Sequence, residues 1–170
     1  MSGQLPVLID PIRLADEGTR LRGVLPVINM VRLQELTLLA NQPVAVELEF
    51  ERTAQGMRRM RGTLRTQVEM TCRRCLKPLK FEIVAQPHCI VLQSGETEPE
   101  EGESLIVEGP LALIELVEDE LLLAMPMIPG HAEGECEMAF SKTTGMKSVT
   151  DNKPNPFADL RGLKGKNQDQ

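Results

Sequence analysis

The sequence predicts an α+β fold in which an antiparallel sheet, built on a β-hairpin, is packed by one long amphipathic helix. Two runs of alternating apolar and polar residues, 44–51 and 59–70, flank a short glycine-containing loop, as the strands of a hairpin do. Residues 111–125 carry apolar side chains every three to four positions, which is the period of a helix with one buried face. A short N-terminal helix and a disordered C-terminal tail complete the prediction.

Composition limits the class of protein. The chain has 170 residues, of which 41% are hydrophobic and 26% charged, as in an ordinary globular domain. Aromatic residues make up only 2%, which argues against a stacking platform for single-stranded bases. No run approaches the about 18–20 apolar residues of a membrane span, so we expect a cytoplasmic protein without membrane contact. We predict an α+β domain over residues 1–137 and a flexible tail over 138–170.

The first elements are short. Residues 5–11 are apolar and bounded by prolines, and they predict an edge strand, since proline cannot donate to a ladder. Residues 20–27 predict a second strand. Residues 30–40 have apolar side chains at helical spacing, with Asn29 as the expected N-cap and Pro43 beyond the end, and they predict the short helix.

A third strand is expected after the hairpin. It comprises residues 81–85 and 89–92, with a break at Pro87. Residues 93–102 are rich in Gly, Pro and Glu and predict a loop, and residues 105–108 predict a brief further strand.

The long helix follows this strand. Pro110 is expected at its first position, where the missing N–H costs least, and Pro126 and Pro129 end it. Glu115, Glu118, Asp119 and Glu120 could suggest a metal or acid–base site, but three of them, at i, i+3 and i+4, share one helical face. We predict the solvated stripe of a packed helix.

Charge is distributed unevenly along the chain. The formal net charge of −6 would by itself argue against nucleic-acid binding. Residues 58–80, however, contain eight cationic residues and one acid, whereas residues 96–120 contain ten acids and no Lys or Arg. This separation predicts a local basic surface that the net charge conceals.

The basic run predicts a contact with RNA. Alternation along the strand places its arginines on the solvent face, and a guanidinium group suits phosphate oxygens. In the alternative interpretation, which the sequence leaves open, the hairpin arginines pair with Glu47, Glu49 and Glu51 on the facing strand. The run also continues beyond the strand, where no acidic partner strand is evident. The predicted RNA-binding residues are Arg59, Arg61, Arg65, Arg73, Arg74, Lys77 and Lys80.

The cysteines predict a metal site. Cys72 and Cys75 form a C-x-x-C whose spacing allows two thiolates to bind one ion, and His131 with Cys136 could supply the other two ligands. The four residues would form a Cys3His zinc site that joins the sheet to the end of the long helix. The alternative is a set of reduced, partly buried thiols. A thioredoxin-type role is disfavoured, because a return strand rather than a helix is expected after the motif.

Catalysis is not expected. The chain has two histidines, no phosphate-binding glycine loop and no nucleophile–base arrangement. We therefore predict that the protein is not an enzyme and has no catalytic residues.

One apolar segment interrupts the polar tail. Within residues 154–164, Asn155 can cap a helix that begins at Pro156, and three apolar residues then recur at helical spacing. We predict that this motif docks a ribosomal or assembly protein, and folding back onto the domain is the alternative. The predicted docking residues are Asn155, Pro156, Phe157, Leu160, Leu163 and Lys164.

Several blocks of this sequence together resemble the bacterial large ribosomal RNA subunit accumulation protein family (YceD). They are residues 5–11, the C-x-x-C at 72–75, residues 116–126 followed by Pro129, His131 and Cys136, and residues 153–164. The resemblance implies a non-enzymatic factor needed for synthesis, processing or stability of 23S rRNA. Two hypotheses follow: direct binding of rRNA or a large-subunit precursor, or an adaptor that acts through an assembly enzyme or ribosomal protein without RNA contact.

Overall fold

A computed structural model describes residues 4–99, 102–132 and 134–136. The described residues form a six-stranded mixed sheet, a separate two-stranded sheet and three α-helices. The elements in chain order are β1 (Leu8–Ile9), α1 (Pro11–Glu17), β2 (Arg20–Leu25), α2 (Val31–Leu36), β3 (Val44–Arg52), β4 (Arg58–Thr71), β5 (Pro78–Ala85), β6 (His88–Gln93), β7 (Ser104–Val107), β8 (Leu111–Ala112) and α3 (Leu113–Leu123).

The predicted hairpin is present and forms the centre of the sheet. β3 and β4 pair antiparallel from Ala45 opposite Arg65 to Arg52 opposite Arg58. The strand order is β2-β3-β4-β6-β7, and β5 also pairs with β4. The expected antiparallel sheet is confirmed for most pairs, but β6 and β7 run parallel, so the sheet is mixed.

The predicted third strand is confirmed, including its interruption. β5 and β6 pair with successive parts of β4 in one continuous register, and they are separated by Gln86 and Pro87. Pro87 has no N–H for the ladder, but its carbonyl accepts from Gly62 N at 3.0 Å. Gly62 is required here because a Cβ would lie 2.2 Å from the Glu47 carbonyl oxygen.

The core is aliphatic, as the composition implies. Side chains on β4 alternate, so that Met60 and Leu64 are fully buried while Arg61 and Arg65 are exposed. Helices α1 and α3 pack against the sheet and contribute Ala15 and four apolar α3 residues to this core. The α3 residues are Leu113, Leu116, Val117 and Leu121.

The start of the chain differs from the prediction. The expected strand at 5–11 is shortened to β1, and a helix that the pattern did not predict follows at once. Asp10 caps α1 by accepting the N–H of Arg13 at 3.2 Å, Pro11 is its first residue, and Gly18 ends it with φ 66°. The order Asp-Pro, then Gly, is a helix signature that was available in the sequence.

The predicted helix at 30–40 is shorter than expected. It covers only Val31–Leu36, and Asn29 does not cap it but ends a 3-10 turn. The chain turns away because Leu38 N donates to the Glu69 carbonyl of β4 at 2.8 Å. A contact with a distant strand therefore ends a helix whose local pattern continues.

The long helix begins later than predicted. Residues after Pro110 pair with β1 as β8, and α3 begins at Leu113, whose N–H donates to the Val7 carbonyl at 3.0 Å. Pro110 is thus not the first helical residue. Pro126 and Pro129 do follow the helix end, as expected.

The prediction of a solvated acidic stripe on α3 is wrong for Glu118, which is 6% exposed. Its Oε1 accepts the backbone N–H of Leu33 at 3.0 Å, and its Oε2 accepts from Arg32 Nη2 at 3.0 Å. Glu118 therefore satisfies the N-terminal turn of α2, where no local side chain caps the helix. Among the described residues, no helix is long and apolar enough to span a membrane.

Candidate metal centre and basic knuckle

The turn between β4 and β5, residues 72–77, is called the basic knuckle here. The backbone N–H of Cys72 donates to the Lys77 carbonyl at 2.9 Å, and the N–H of Leu76 donates back to the Cys72 carbonyl at 2.9 Å. The N–H of Arg74 approaches the Cys72 sulfur at 3.4 Å. The turn is therefore closed by its own backbone, and the side chains of Arg73 and Arg74 are exposed.

The segment after α3 is joined to this turn. Arg73 N donates to the Pro129 carbonyl at 2.9 Å, and the Arg74 guanidinium donates to the carbonyl of His131. Gly130 lies directly against Arg74, since a Cβ on it would be 3.4 Å from the Arg74 Nε. Two segments that are distant in sequence are thus held side by side through backbone groups.

This junction brings together three sulfur atoms and one imidazole. The Cys72 and Cys136 Sγ atoms are 3.6 Å apart, and His131 Nδ1 lies 3.4 Å from Cys75 Sγ and 3.7 Å from Cys136 Sγ. All four potential ligand atoms lie within 4.8 Å of one another. A tetrahedral ion with bonds of about 2.0–2.3 Å requires ligand atoms roughly 3.5–3.8 Å apart. The residues therefore form a Cys3His group that could hold a metal, as the sequence predicted.

The thiols of this group differ in acidity. Burial alone would raise the pKa of the Cys72 thiol, but backbone N–H groups of Cys75, His131 and Arg74 outweigh it and lower the pKa to about 5. Burial and the sulfurs of Cys72 and Cys75 raise the pKa of Cys136 to about 11. A bound cation favours thiolate at every sulfur, which would overcome the unfavourable environment of Cys136.

Cys89 and His88 play no part in this group. They lie on β6 with the Cys89 side chain buried and His88 exposed, as their adjacent positions on a strand require. Burial, with smaller contributions from Glu120 and Glu103, raises the pKa of Cys89 to about 12. Cys89 is therefore an inert core thiol.

The hairpin arginines are paired with acids. Arg59 forms an ion pair with Glu51, and Arg61 Nη2 lies 2.9 Å from Glu49 Oε2. Arg20 on β2 also reaches Glu49, at 2.5 Å. The register of β3 and β4 places these carboxylates directly opposite the arginines. The hairpin therefore has the arrangement of the alternative interpretation, in which its arginines pair with glutamates on the facing strand.

The other predicted cations are placed differently. All five side chains are exposed, and four of them form no ion pair with a carboxylate of the described residues. The four are Arg65, Arg73, Arg74 and Lys80; the fifth is Lys77. Arg65 and Lys80 lie on the solvent face of the sheet, where Lys80 is opposite Glu69. The two arginines of the knuckle have no acidic strand opposite them.

The structure also has features at this site that the sequence motifs did not predict. Leu76 has φ 59°, and the carbonyls of Pro129 and His131 bind the knuckle arginines. The Pro-Gly pair at 129–130 was the available signal for a turn at that place. Beside the knuckle, Leu36, Leu38, Met125 and Met127 line an apolar groove of about 500 Å³.

The predicted docking motif lies outside the described residues. Asn155, Pro156, Phe157, Leu160, Leu163 and Lys164 all belong to it. The motif and the proposed domain boundary at 137 therefore stay predictions.

Comparison with known proteins identifies the family. The profile of the family described as large ribosomal RNA subunit accumulation protein YceD matches residues 60–164. The Haemophilus influenzae protein named "Large ribosomal RNA subunit accumulation protein YceD" is 31% identical over 171 aligned residues, covering 96% of this chain and 98% of that protein. No solved structure matches. The chain therefore belongs to the large ribosomal RNA subunit accumulation protein (YceD) family.

Proposed function

We propose that this protein supports the accumulation of 23S rRNA by binding rRNA or a large-subunit precursor, and that the basic knuckle is its main RNA contact. The family name supports the process, and the knuckle arginines, which have no carboxylate partner among the described residues, support the contact. In this proposal the protein acts in the cytoplasm as a binding factor and not as an enzyme.

The observation that carries the proposal is the state of Arg73 and Arg74. Both side chains are exposed, and both residues are fixed by bonds to the segment after α3. The His131 carbonyl positions the Arg74 guanidinium, and Arg73 is held through its backbone N–H. Since neither side chain pairs with a carboxylate of the described residues, each can bind a phosphate without first breaking such a pair. Each such contact releases condensed counterions from the RNA and so strengthens binding at low salt. Arg59 and Arg61 would first have to leave Glu51 and Glu49.

Zinc is the ion that the Cys3His group fits best, because three thiolates and one imidazole form a closed structural set. The ligands would be Cys72, Cys75, His131 and Cys136. A bound zinc ion would supply a structural link between the knuckle and the segment after α3. The residues around it then fix the direction in which Arg73 and Arg74 face.

A filter-binding series with a 23S rRNA fragment tests the proposal. We expect the Arg73→Gln/Arg74→Gln double variant to bind more weakly and to lower the slope of log affinity against log salt by about two units. The matched control is Arg59→Gln/Arg61→Gln, which removes the same charge from the paired hairpin and should change the slope by less. A slope that is unchanged in the knuckle variant would contradict the proposal.

The second candidate is an adaptor that binds protein and not RNA, and the apolar groove beside the knuckle favours it. It predicts that deletion of residues 154–170 abolishes pull-down of a ribosomal or assembly protein. Treatment with RNase would leave that pull-down intact. Loss of the pull-down on RNase treatment, together with retained RNA binding by the deletion variant, would reject the adaptor.

A further inference from the structure

Leu76 occupies a strained position in the basic knuckle. Its φ of 59° lies in the left-handed region, and it is the one described residue other than glycine with a positive φ. A leucine rarely adopts this conformation, whereas glycine adopts it without steric cost. The bond from Leu76 N to the Cys72 carbonyl closes the turn and imposes the conformation.

Packing against the described part of the chain does not compensate this strain. The Leu76 side chain is 74% exposed and lies between Cys75 and Lys77 at the outer end of the turn. Strained residues persist where surrounding structure holds them and concentrate at functional sites. A bulky side chain that is both strained and exposed therefore indicates a contact beyond the residues that the structure describes.

The surroundings of Leu76 indicate the chemistry of that contact. Arg73 and Arg74 are exposed in the same turn without a carboxylate partner among the described residues. Met127 and Ile128 are 95% and 77% exposed, and they precede Pro129, whose carbonyl binds Arg73 N. The knuckle and the segment after α3 thus present exposed apolar side chains in the same two segments as cations that can hold phosphates. Nucleic acid presents this combination where a base has left its stack beside its own phosphate.

We propose that the basic knuckle recognises RNA at unpaired, unstacked bases, with Leu76 against the face of a base and Arg73 and Arg74 on the flanking phosphates. In a continuous duplex the base faces are covered by stacking, so the leucine has no surface to contact. This inference rests on the proposed function and deepens it by naming the form of RNA that is bound. It also explains how a chain with so few aromatic residues could contact bases.

Fluorescence anisotropy with the full, zinc-loaded chain tests the inference. Two probes of equal nucleotide number are used, a hairpin with a single-stranded loop and a blunt duplex. We expect the wild type to bind the hairpin more tightly. Leu76→Gly should weaken hairpin binding about fivefold and leave duplex binding unchanged, since it removes only an apolar contact. Its Tm should be equal to or above that of the wild type, because the turn is relaxed. Leu76→Met should retain the preference.

A matched control is Ile28→Ala, which truncates another exposed apolar residue (76%) on the turn before α2 and should change neither affinity. Equal binding of both probes by the wild type would overturn the inference and leave the proposed function standing. Binding of neither probe would overturn both. A lower Tm for Leu76→Gly would mean that the leucine serves the fold, and the inference would be wrong. Unchanged RNA binding with loss of a co-purifying protein would likewise overturn it, in favour of a protein contact.

Discussion

The hairpin and the basic knuckle both present arginines, but their arginines have different partners. On the hairpin, antiparallel register places Glu49 and Glu51 opposite Arg61 and Arg59, so the charges neutralise one another. In the knuckle, the chain leaves the sheet and its neighbours are backbone carbonyls and sulfurs. Carbonyls orient a guanidinium without cancelling its charge. A count of arginines along the sequence therefore overstates the basic surface of a strand and understates that of a turn.

The largest expected effect comes from removing a ligand of the Cys3His group, which links the knuckle to the segment after α3. We expect the purified chain to hold one zinc ion, and Cys72→Ser to lose it and to lower Tm by about 10 °C. The physical reason is that the Cys72 sulfur accepts the N–H of Arg74 and contacts the sulfur of Cys136, so its removal takes away a metal ligand that links the turn to the segment after α3. Metal analysis under reducing conditions and thermal unfolding measure the two effects.

Cys89→Ala is the control for this experiment, because Cys89 is a buried thiol on β6 outside the cluster. It should lower Tm slightly through a small cavity and leave the zinc content unchanged. Less than stoichiometric zinc in the wild type, combined with a neutral Cys72→Ser, would remove the metal from this site. The comparison of the two regions would then rest on backbone contacts alone.

An intermediate effect is expected from placing a carboxylate beside an arginine of the knuckle, as the glutamates of the hairpin are placed beside its arginines. Gly130 lies against Arg74 with room for a Cβ at 3.4 Å from Nε, so Gly130→Glu can place a carboxylate beside that guanidinium. We expect RNA affinity to fall about tenfold relative to Gly130→Gln, and the salt slope to fall by about one unit. Filter binding at several salt concentrations measures both.

Removing the carboxylates that pair with the hairpin arginines tests the comparison of hairpin and knuckle from the other side. Glu49→Gln/Glu51→Gln would free Arg59 and Arg61 from their carboxylates and should steepen the salt slope. Equal RNA affinities for Gly130→Glu and Gly130→Gln, with no gain in the hairpin variant, would show that carboxylate pairing does not control RNA binding.

How much of the structure could be predicted from the sequence depends on whether a feature is set by local or by distant contacts. The β3–β4 hairpin and the break at Pro87 are encoded by alternation and by a missing N–H, which are local, and both are present. The Cys3His grouping was predictable because few residue types bind metals, although 56 residues separate Cys75 from His131.

The failures involve groups that meet only in the folded chain. The sequence pattern places Glu118 in an exposed acidic stripe. Its hydrogen bond from the Leu33 N–H forms only because α2 packs beside α3 in the folded chain. The helix at 30–40 ends early because Leu38 binds β4. The conformation of Leu76 is set by closure of the knuckle, and leucine carries no sequence signal for a positive φ.

The smallest expected effect concerns the pH dependence of the hairpin pairs. The hydrogen bond from Arg20 outweighs partial burial and, with the charge of Arg61, lowers the pKa of Glu49. A carboxyl whose pKa is lowered by folding stabilises the fold above its ordinary pKa of 4.5, and this contribution disappears as the pH falls through the lowered value. Wild type should therefore exceed Glu49→Gln in Tm by on the order of 1 °C at neutral pH, and the difference should vanish in acid. Glu108→Gln, which alters an exposed acid outside any helix and without an ion pair among the described residues, should show no difference at either pH. If the Glu49→Gln difference in Tm persisted in acid, packing of the glutamate side chain and not its charge would stabilise the hairpin face. The hairpin and the knuckle would then differ in side-chain packing and not in the neutralisation of their arginines.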